Sequence, residues 1–252
     1  VTVSTSLDRA PDGRPHVFVR SVVTTELGFD VVFASSWGEG KFSLQLPGDF
    51  NVANAILVLA LLLKKGVPLE AACDVMSQLS APPGRMQRVA VDAVDRSLQC
   101  VTTDGAAALV DYAHTPDALE AALRALRAHC RGKLWCVFGC GGDRDKGKRP
   151  LMGEVAERHS DHVVITTDNS RSEDAKVIID DILAGLAHAD EATVIEDRAA
   201  AIAWAVEQAG DHDIVLIAGK GHENYQESKG ERIAFSDYAI AQKAFAAKEG
   251  VK

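Results

Sequence analysis

Four segments place charged or imidazole side chains directly after short apolar runs: Asp111 to His114 (DYAH) after AALV, Gly139 to Arg149 (GCGGDRDKGKR) after KLWCVF, Asp168 to Glu173 (DNSRSE) after HVVITT, and Gly219 to Glu223 (GKGHE) after DIVLIA. The second is the most suggestive chemically. Gly142, four residues, Gly147 and Lys148 follow the phosphate-loop pattern, but Arg149 stands where a magnesium-ligating Ser or Thr is needed. It also fails as a dinucleotide fingerprint, because after Gly139 and Gly141 the third glycine position holds Arg144. Arginine and lysine behind glycines still suit an anion held by backbone N–H groups at a helix start. Arg144 is the side chain best matched to a carboxylate or phosphate, since guanidinium binds either through paired hydrogen bonds. Arg171 needs an explanation of its own: a cation beside a helix N-terminus opposes the helix dipole, and a bound anion would supply one. In that loop Ser172 or Asp174 can cap the helix. In the fourth segment Lys220, His222 and Glu223 follow the strand. A solvated loop is the plain alternative for any one of these segments, and four at successive strand ends weigh against it.

These loops share one edge only if the runs before them are parallel strands. Beyond residue 105 the chain alternates short apolar runs with amphipathic segments: helices are expected from about Pro116 to His129, Leu151 to His159, Asp174 to Leu186, Arg198 to Ala209 and from Ser236 onward. That alternation predicts a parallel, doubly wound α/β sheet, whose ligands bind beyond the carboxyl ends of the strands. Residues 1 to 46 read differently, as a β-rich meander with antiparallel pairing punctuated by Gly28, Gly38 and Gly40. A helix capped by Asp49 or Asn51 and closed by Gly66 follows, then a second from about Pro68 to Leu79. The segment Ala81 to Arg85 (APPGR) is the expected linker, since two prolines and a glycine cannot continue that helix. The domains are therefore expected at 1–82 and 83–252. Trp37, Trp135 and Trp204 read as core or near-core residues. His16, His129, His159, His162, His188 and His212 show no recognisable partners and receive no role.

Composition narrows the function. The 252 residues are 47% hydrophobic, which supports a folded core, and carry 27 basic against 36 acidic side chains for a net charge of -9. No nucleic-acid partner is expected of so acidic a chain. The longest apolar run, Ala55 to Leu63, is about half of the ~18 residues a membrane span requires, so no membrane partner is expected. Cys73, Cys100, Cys130, Cys136 and Cys140 include no C-x-x-C pair and are odd in number, which favours reduced thiols over disulfides or zinc. The sequence opens at Val1 without a signal-peptide pattern and reads as part of a longer or processed chain.

Read together and in order, LPGDFNVANAILVLA, PPGRMQRV, VDYAHTPDALEAAL, VFGCGGDRDKGKRPLMG, TTDNSRSEDA and VLIAGKGHENYQ resemble the Mur ligases, and within them the UDP-N-acetylmuramoyl-tripeptide synthetases, from about Leu46 to Ala244. The resemblance implies that residues 1–82 are the end of a partial α/β ATPase-type central domain and residues 83–252 the family's Rossmann-like C-terminal domain. It implies a cytoplasmic bacterial enzyme of peptidoglycan synthesis, an ATP- and Mg2+-dependent ligase that adds meso-diaminopimelate to UDP-MurNAc-L-Ala-D-Glu through an acyl phosphate. By motif match, Asn51, Asn54, Arg85, Asp111 and His114 are implied as ATP contacts. Arg144, Asp168, Asn169, Arg171, Gly219 and Glu223 are implied as the amino-acid pocket. The fit is chemical: diaminopimelate brings a second amino-acid head, with a carboxylate for arginine and an ammonium for an acid.

The sequence departs from the family pattern in three ways. Ser170 replaces the proline usual in the Asp-Asn-Pro-Arg motif. The stretch from Arg85 to Asp111 is long and suggests an extended hairpin. The family's UDP-binding domain, true phosphate loop and carbamylated lysine are implied to precede Val1, so no catalytic or metal-ligating residue is assigned here and this stretch alone is expected to be inactive. A lysine-adding member and a non-catalytic amino-acid-binding module remain the alternatives. A stand-alone nucleotide- or dinucleotide-binding enzyme of Rossmann type is disfavoured by the missing glycine fingerprint. Folylpolyglutamate synthase and cyanophycin synthetase are disfavoured by AGKGHE together with DYAHTPDAL.

Overall fold

Alternating apolar and polar residues between His16 and Leu44 give a sheet with one buried face. In the computed structural model, which describes residues 1–5, 14–26, 28–90 and 105–249, this sheet belongs to the first of two units, Val1–Ser80 and Ala81–Lys252. The first unit runs β1 (Thr2–Ser4), β2 (His16–Thr24), β3 (Phe29–Ser35), β4 (Gly38–Leu44), α1 (Asp49–Lys64) and α2 (Leu69–Ser77). Phe29, Val31, Phe33, Phe42 and Leu44 point from the sheet onto Ile56, Leu59 and Leu63 of α1 and Met76 of α2. Strands β2 to β4 pair antiparallel, but β1 lies parallel to β2, which corrects the expectation of a purely antiparallel meander. Helix α1 also starts differently. The N-cap is Gly48 at φ +91 without a side-chain cap, so Asp49 falls in the first turn and Asn51 donates from Nδ2 to the Pro47 carbonyl at 2.7 Å. Trp37 sits at the β3–β4 turn with 37% of its surface exposed, and is not a core residue.

The second unit runs β5 (Gln87–Arg88), β6 (Ala107–Asp111), α3 (Pro116–Arg127), β7 (Leu134–Phe138), α4 (Lys148–His159), β8 (His162–Ile165), α5 (Ala175–Leu183), β9 (Thr193–Val194), α6 (Arg198–Gln208), β10 (Ile214–Ala218), β11 (Tyr225–Ser228), β12 (Glu231–Ala234) and α7 (Asp237–Glu249). Its six-stranded sheet is ordered β5-β6-β10-β7-β8-β9, parallel except for the edge strand β5. Every residue of β7 and β10 is buried, as strands covered on both faces require. Trp135, Val137, Val215 and Ile217 pack against Ala201, Ile202 and Val206 of α6 and Phe245 of α7. The alternate residues Leu134, Cys136 and Phe138 face the side where α3 and α4 lie. The chain steps outward from β6 through β7 and β8 to β9, then returns through α6 to insert β10 between β6 and β7. That reversal opens a crevice at the carboxyl ends of β6, β10, β7 and β8. The extended hairpin expected between Arg85 and Asp111 falls mostly on residues 91–104, outside the described residues; Cys100 lies there too. The other four cysteines are free.

Burial splits the histidines. His159 meets Glu120 at 3.5 Å, His188 meets Glu157 at 3.4 Å, and the His162 ring lies tilted against Trp135 with centroids 4.0 Å apart. These are partners that spacing alone did not disclose.

Two buried arginines lock the loops of the crevice. Arg198 has no exposed side-chain surface; Nε and Nη2 donate to the Asp237 carboxylate at 2.8 and 2.7 Å. It also donates to the Thr167 carbonyl at 3.2 Å and the Ala218 carbonyl at 2.9 Å, joining the ends of β8 and β10 to the start of α7. Arg149 opens α4 beside Lys148, where two cations in a first turn without acid oppose the helix dipole. Its guanidinium turns inward and donates to Glu173 at 2.8 and 3.1 Å and to Asp181 at 2.8 Å. Glu173 accepts in addition from the Asp143 N–H at 2.6 Å and pairs with Lys146 at 3.1 Å. The Arg149 hydrogen bonds, then those from Asp143 and Lys146, hold the Glu173 carboxyl down at about 2. Arg149, which the phosphate-loop comparison treats as a missing hydroxyl, is thus the staple between the glycine loop and the start of α5.

Both networks yield measurable expectations. Arg198→Met leaves Asp237 buried without a counter-charge, and urea unfolding should show a loss of about 3–5 kcal/mol; a loss under about 1 kcal/mol would show that water or another cation reaches Asp237. Because folding lowers the Glu173 pKa, its contribution is fully present above about pH 4.5 and disappears as pH falls toward about 2. Carboxyl carbon shifts followed by NMR should place the Glu173 midpoint near 2, and a midpoint near 4.5 would contradict the network.

Candidate functional site: the strand-end edge of the second unit

The four segments singled out by sequence converge on the carboxyl edge of the parallel sheet. The Gly219 N–H donates to the Asp111 carbonyl at 3.1 Å, the Gly142 N–H to the Asn169 carbonyl at 2.9 Å, and Lys148 Nζ to the His114 carbonyl at 2.7 Å. Close backbone approach explains two of the glycines. A Cβ on Gly142 would lie 2.0 Å from the Ser170 carbonyl, and one on Gly219, at φ +115, would lie 2.7 Å from Asp168 Oδ2. The expected cap choice resolves to Asp174, which accepts from the Lys176 N–H at 3.0 Å. Ser172 instead donates to Asp143 at 2.6 Å.

On the β6 side, Asp111 is buried and accepts from the Met86 N–H at 2.7 Å and the Ala113 N–H at 2.8 Å. Burial pushes its carboxyl above the ordinary value despite these two donors. Asp111 therefore fastens the Gly84–Met86 turn to the end of β6. That turn presents Arg85 over the Tyr112 ring at 4.4 Å, and Tyr112 meets His114 at 4.6 Å and His222 at 5.6 Å. Nδ1 of His114 lies 2.8 Å from the Tyr112 carbonyl, which makes Nδ1 the donor and turns Nε2 outward as an acceptor. Arg85 and His114 are exposed. Asn51 and Asn54 belong to α1 of the first unit, where Asn51 is tied to Pro47 and Asn54 is exposed.

Around the ends of β7, β8 and β10 the remaining candidates form a charged rim. Arg144 is exposed and touches the Asp143 carbonyl at 3.3 Å. Arg171 adopts φ +51, an uncommon conformation for a non-glycine residue and one that concentrates at functional sites. Its Nη1 donates to the Gly142 carbonyl at 2.7 Å, and no carboxylate lies within ion-pair distance of it among the described residues. The plain surface alternative, a pair with Glu173 or Asp174, is not formed: Arg149 and Lys146 occupy Glu173, and Asp174 caps α5. Asp168 is buried and its Oδ1 accepts from the Asn169 N–H at 2.5 Å. Asn169 donates from Nδ2 to Glu223 Oε2 at 2.8 Å.

Two features of this rim escape sequence reasoning. Lys220 has no exposed side-chain surface; its ammonium donates to Asn169 Oδ1 at 2.9 Å and Glu223 Oε2 at 3.2 Å and stands 3.9 Å from Asp168. The β11–β12 hairpin occupies a stretch between β10 and the last helix to which no element is assigned from the sequence. It lies alongside residues 169–171 through the Arg171 N–H to Glu227 carbonyl bond at 3.1 Å and the Lys229 N–H to Arg171 carbonyl bond at 2.6 Å. Alternation in YQES and ERIA around Lys229-Gly230 was the available signal. Cys140, under the glycine loop, is not a nucleophile candidate: burial pushes its thiol up to about 12.

Among the described residues no group of His, Cys, Asp and Glu side chains is arranged to hold a metal ion, and no helix is long and apolar enough to cross a membrane. What the edge offers is a half-buried guanidinium without an ion pair, an exposed arginine and a partly exposed carboxylate, which together complement a zwitterion.

Residues 96–221 match the family model described as Mur ligase, glutamate ligase domain. The chain is 47% identical over 226 residues, 90% of its length, to the UDP-N-acetylmuramoyl-L-alanyl-D-glutamate--2,6-diaminopimelate ligase of Vibrio vulnificus (strain YJ016), and covers 44% of that protein. A solved structure of a ligase of the same name is similar at TM-score 0.76 and 38% identity, covering 98% of this chain and 48% of that one. The folylpolyglutamate synthase of Thermotoga maritima shares the fold alone, at TM-score 0.59 and 18% identity over 96% of this chain and 48% of that one. The chain thus spans about half the length of the relatives it matches. With its doubly wound second unit and the ordered motifs on that unit's strand-end edge, the chain belongs to the Mur ligase family.

Proposed function

We propose that the protein acts in the bacterial cytoplasm as an ATP-dependent ligase joining meso-diaminopimelate to UDP-MurNAc-L-Ala-D-Glu. The observation that carries the reading is Arg171: a guanidinium fixed by backbone carbonyls, with no carboxylate at ion-pair distance among the described residues, on the same rim as Glu223. A relative 47% identical bears the name of the diaminopimelate-adding ligase, which supports the same substrate.

The residues of this chain hold and orient the incoming amino acid. Arg171, with Arg144 beyond it, meets a carboxylate, and Glu223 meets an ammonium. An amine held as ammonium against Glu223 cannot attack, so this rim takes one head of diaminopimelate and leaves the amine of the other head to react. Lysine offers no second carboxylate for Arg171. ATP supplies the phosphoryl group that activates the carboxyl of the dipeptide, and magnesium neutralises phosphate charge when bound. Arg85 and the outward Nε2 of His114 are the groups on the β6 side that suit a nucleotide, with Asp111 holding their loop; Asn51 and Asn54 are the corresponding candidates on α1. The chain contains no Gly-x-x-x-x-Gly-Lys-Ser/Thr segment, and no phosphate- or metal-holding step is assigned to its residues.

Arg171→Ala in the whole protein tests the reading. The kcat/KM for meso-diaminopimelate should fall at least about a hundredfold, with that for lysine changed far less. An unchanged ratio between the two amino acids would make Arg171 a loop-structuring residue and remove the support for diaminopimelate.

A further inference from the structure

We propose that Lys220 is a positioning residue for amino-acid recognition, acting through Asn169 and Glu223 without touching the substrate; the inference rests on the reading of the rim given above. The Asn169 side chain is the key to its action. Its Oδ1 receives two obligatory donors, the Lys220 ammonium at 2.9 Å and the Glu227 N–H at 2.9 Å. That fixes the orientation of the amide, because a flipped Asn169 would set NH2 against both. Nδ2 must then face Glu223, and it donates to Oε2 at 2.8 Å. Lys220 reaches the same Oε2 at 3.2 Å.

Both donors therefore converge on one oxygen of Glu223. Oε1 has no hydrogen-bond partner among the described residues, and the side chain keeps 21% of its surface exposed. A carboxylate pinned through one oxygen presents the other in a fixed direction. Lys220 thereby orders the acceptor of the substrate ammonium and, through Asn169 Oδ1, the β11 strand beside Arg171.

The charge count agrees with this role. Lys220 and Arg198 stand against the buried Asp168 and Asp237 and the partly exposed Glu223, one negative charge in excess, which an ammonium at Glu223 Oε1 completes.

The test uses the whole protein and steady-state kinetics with all three substrates. Lys220→Met removes the charge and the donors at similar volume. Its KM for meso-diaminopimelate should rise about 30-fold, with those for ATP and the UDP-MurNAc-dipeptide within about twofold of the starting values. Glu223→Gln should raise the same constant at least as much. The double variant should be no worse than Glu223→Gln alone, because Lys220 acts through Glu223. Multiplying single-variant effects, an unchanged KM in Lys220→Met, or a fall in kcat with no change in any KM would each overturn the proposal. An unchanged KM in Glu223→Gln would instead overturn the amino-acid reading of the rim and the inference with it. If Lys220→Met does not fold, Lys220→Gln replaces it, with an expected rise of about tenfold and the same non-additivity.

Discussion

Three cations without exposed side-chain surface, Arg149, Arg198 and Lys220, lie beneath the carboxyl edge of the parallel sheet, and each must keep its carboxylate there. Desolvated charge makes these pairs nearly obligatory for the cations, since removing its carboxylate strands a cation that has no exposed side-chain surface. Replacing such pairs by apolar residues is often neutral for stability, so their presence argues for geometry more than for strength. Here the geometry is that of the loops. Arg198 ties the ends of β8 and β10 to α7, Arg149 ties the glycine loop to α5, and Lys220 ties the end of β10 to the loop after β8.

The exposed chemistry follows from that buried layer. Because Arg149 claims Glu173, Arg171 forms no ion pair with it and turns its guanidinium to the Gly142 carbonyl. Because Lys220 and Asn169 both bind Oε2 of Glu223, the other oxygen keeps no hydrogen-bond partner among the described residues. Charges that appear equivalent in the sequence thus divide into a layer that sets position and a rim that remains free to bind. The glycines belong to the same construction: Gly142 and Gly219 admit backbone and Asp168 at distances that no side chain would allow.

Much of this was legible in the residues, for reasons that are local. Period-2 and apolar runs mark β7 and β10, and the alternation with amphipathic helices fixes a parallel sheet whose loops must share an edge. What was not legible depends on burial. A lysine between two glycines in GKGHE and an arginine closing a basic loop look like solvated charge, and nothing in their spacing announces Asn169 or Asp181 as partners 51 and 32 residues away. The parallel placement of β1 is likewise a long-range pairing, and the Gly48 cap depends on a positive φ that Asp49 and Asn51 cannot reveal. The β11–β12 hairpin is only four residues per strand, with β12 exposed throughout, so no buried face marks its pattern apart from a loop.

The central claim is that one amino-acid head sits between Arg171 and Glu223 at the strand-end edge. A crystal structure of the whole protein with meso-diaminopimelate tests it most directly. The account predicts a carboxylate of the ligand within hydrogen-bond distance of the Arg171 guanidinium and the ammonium of the same head on Oε1 of Glu223, with Lys220 still bonded to Oε2. A well-ordered ligand bound elsewhere, or bound here with both Arg171 and Glu223 untouched, would contradict it.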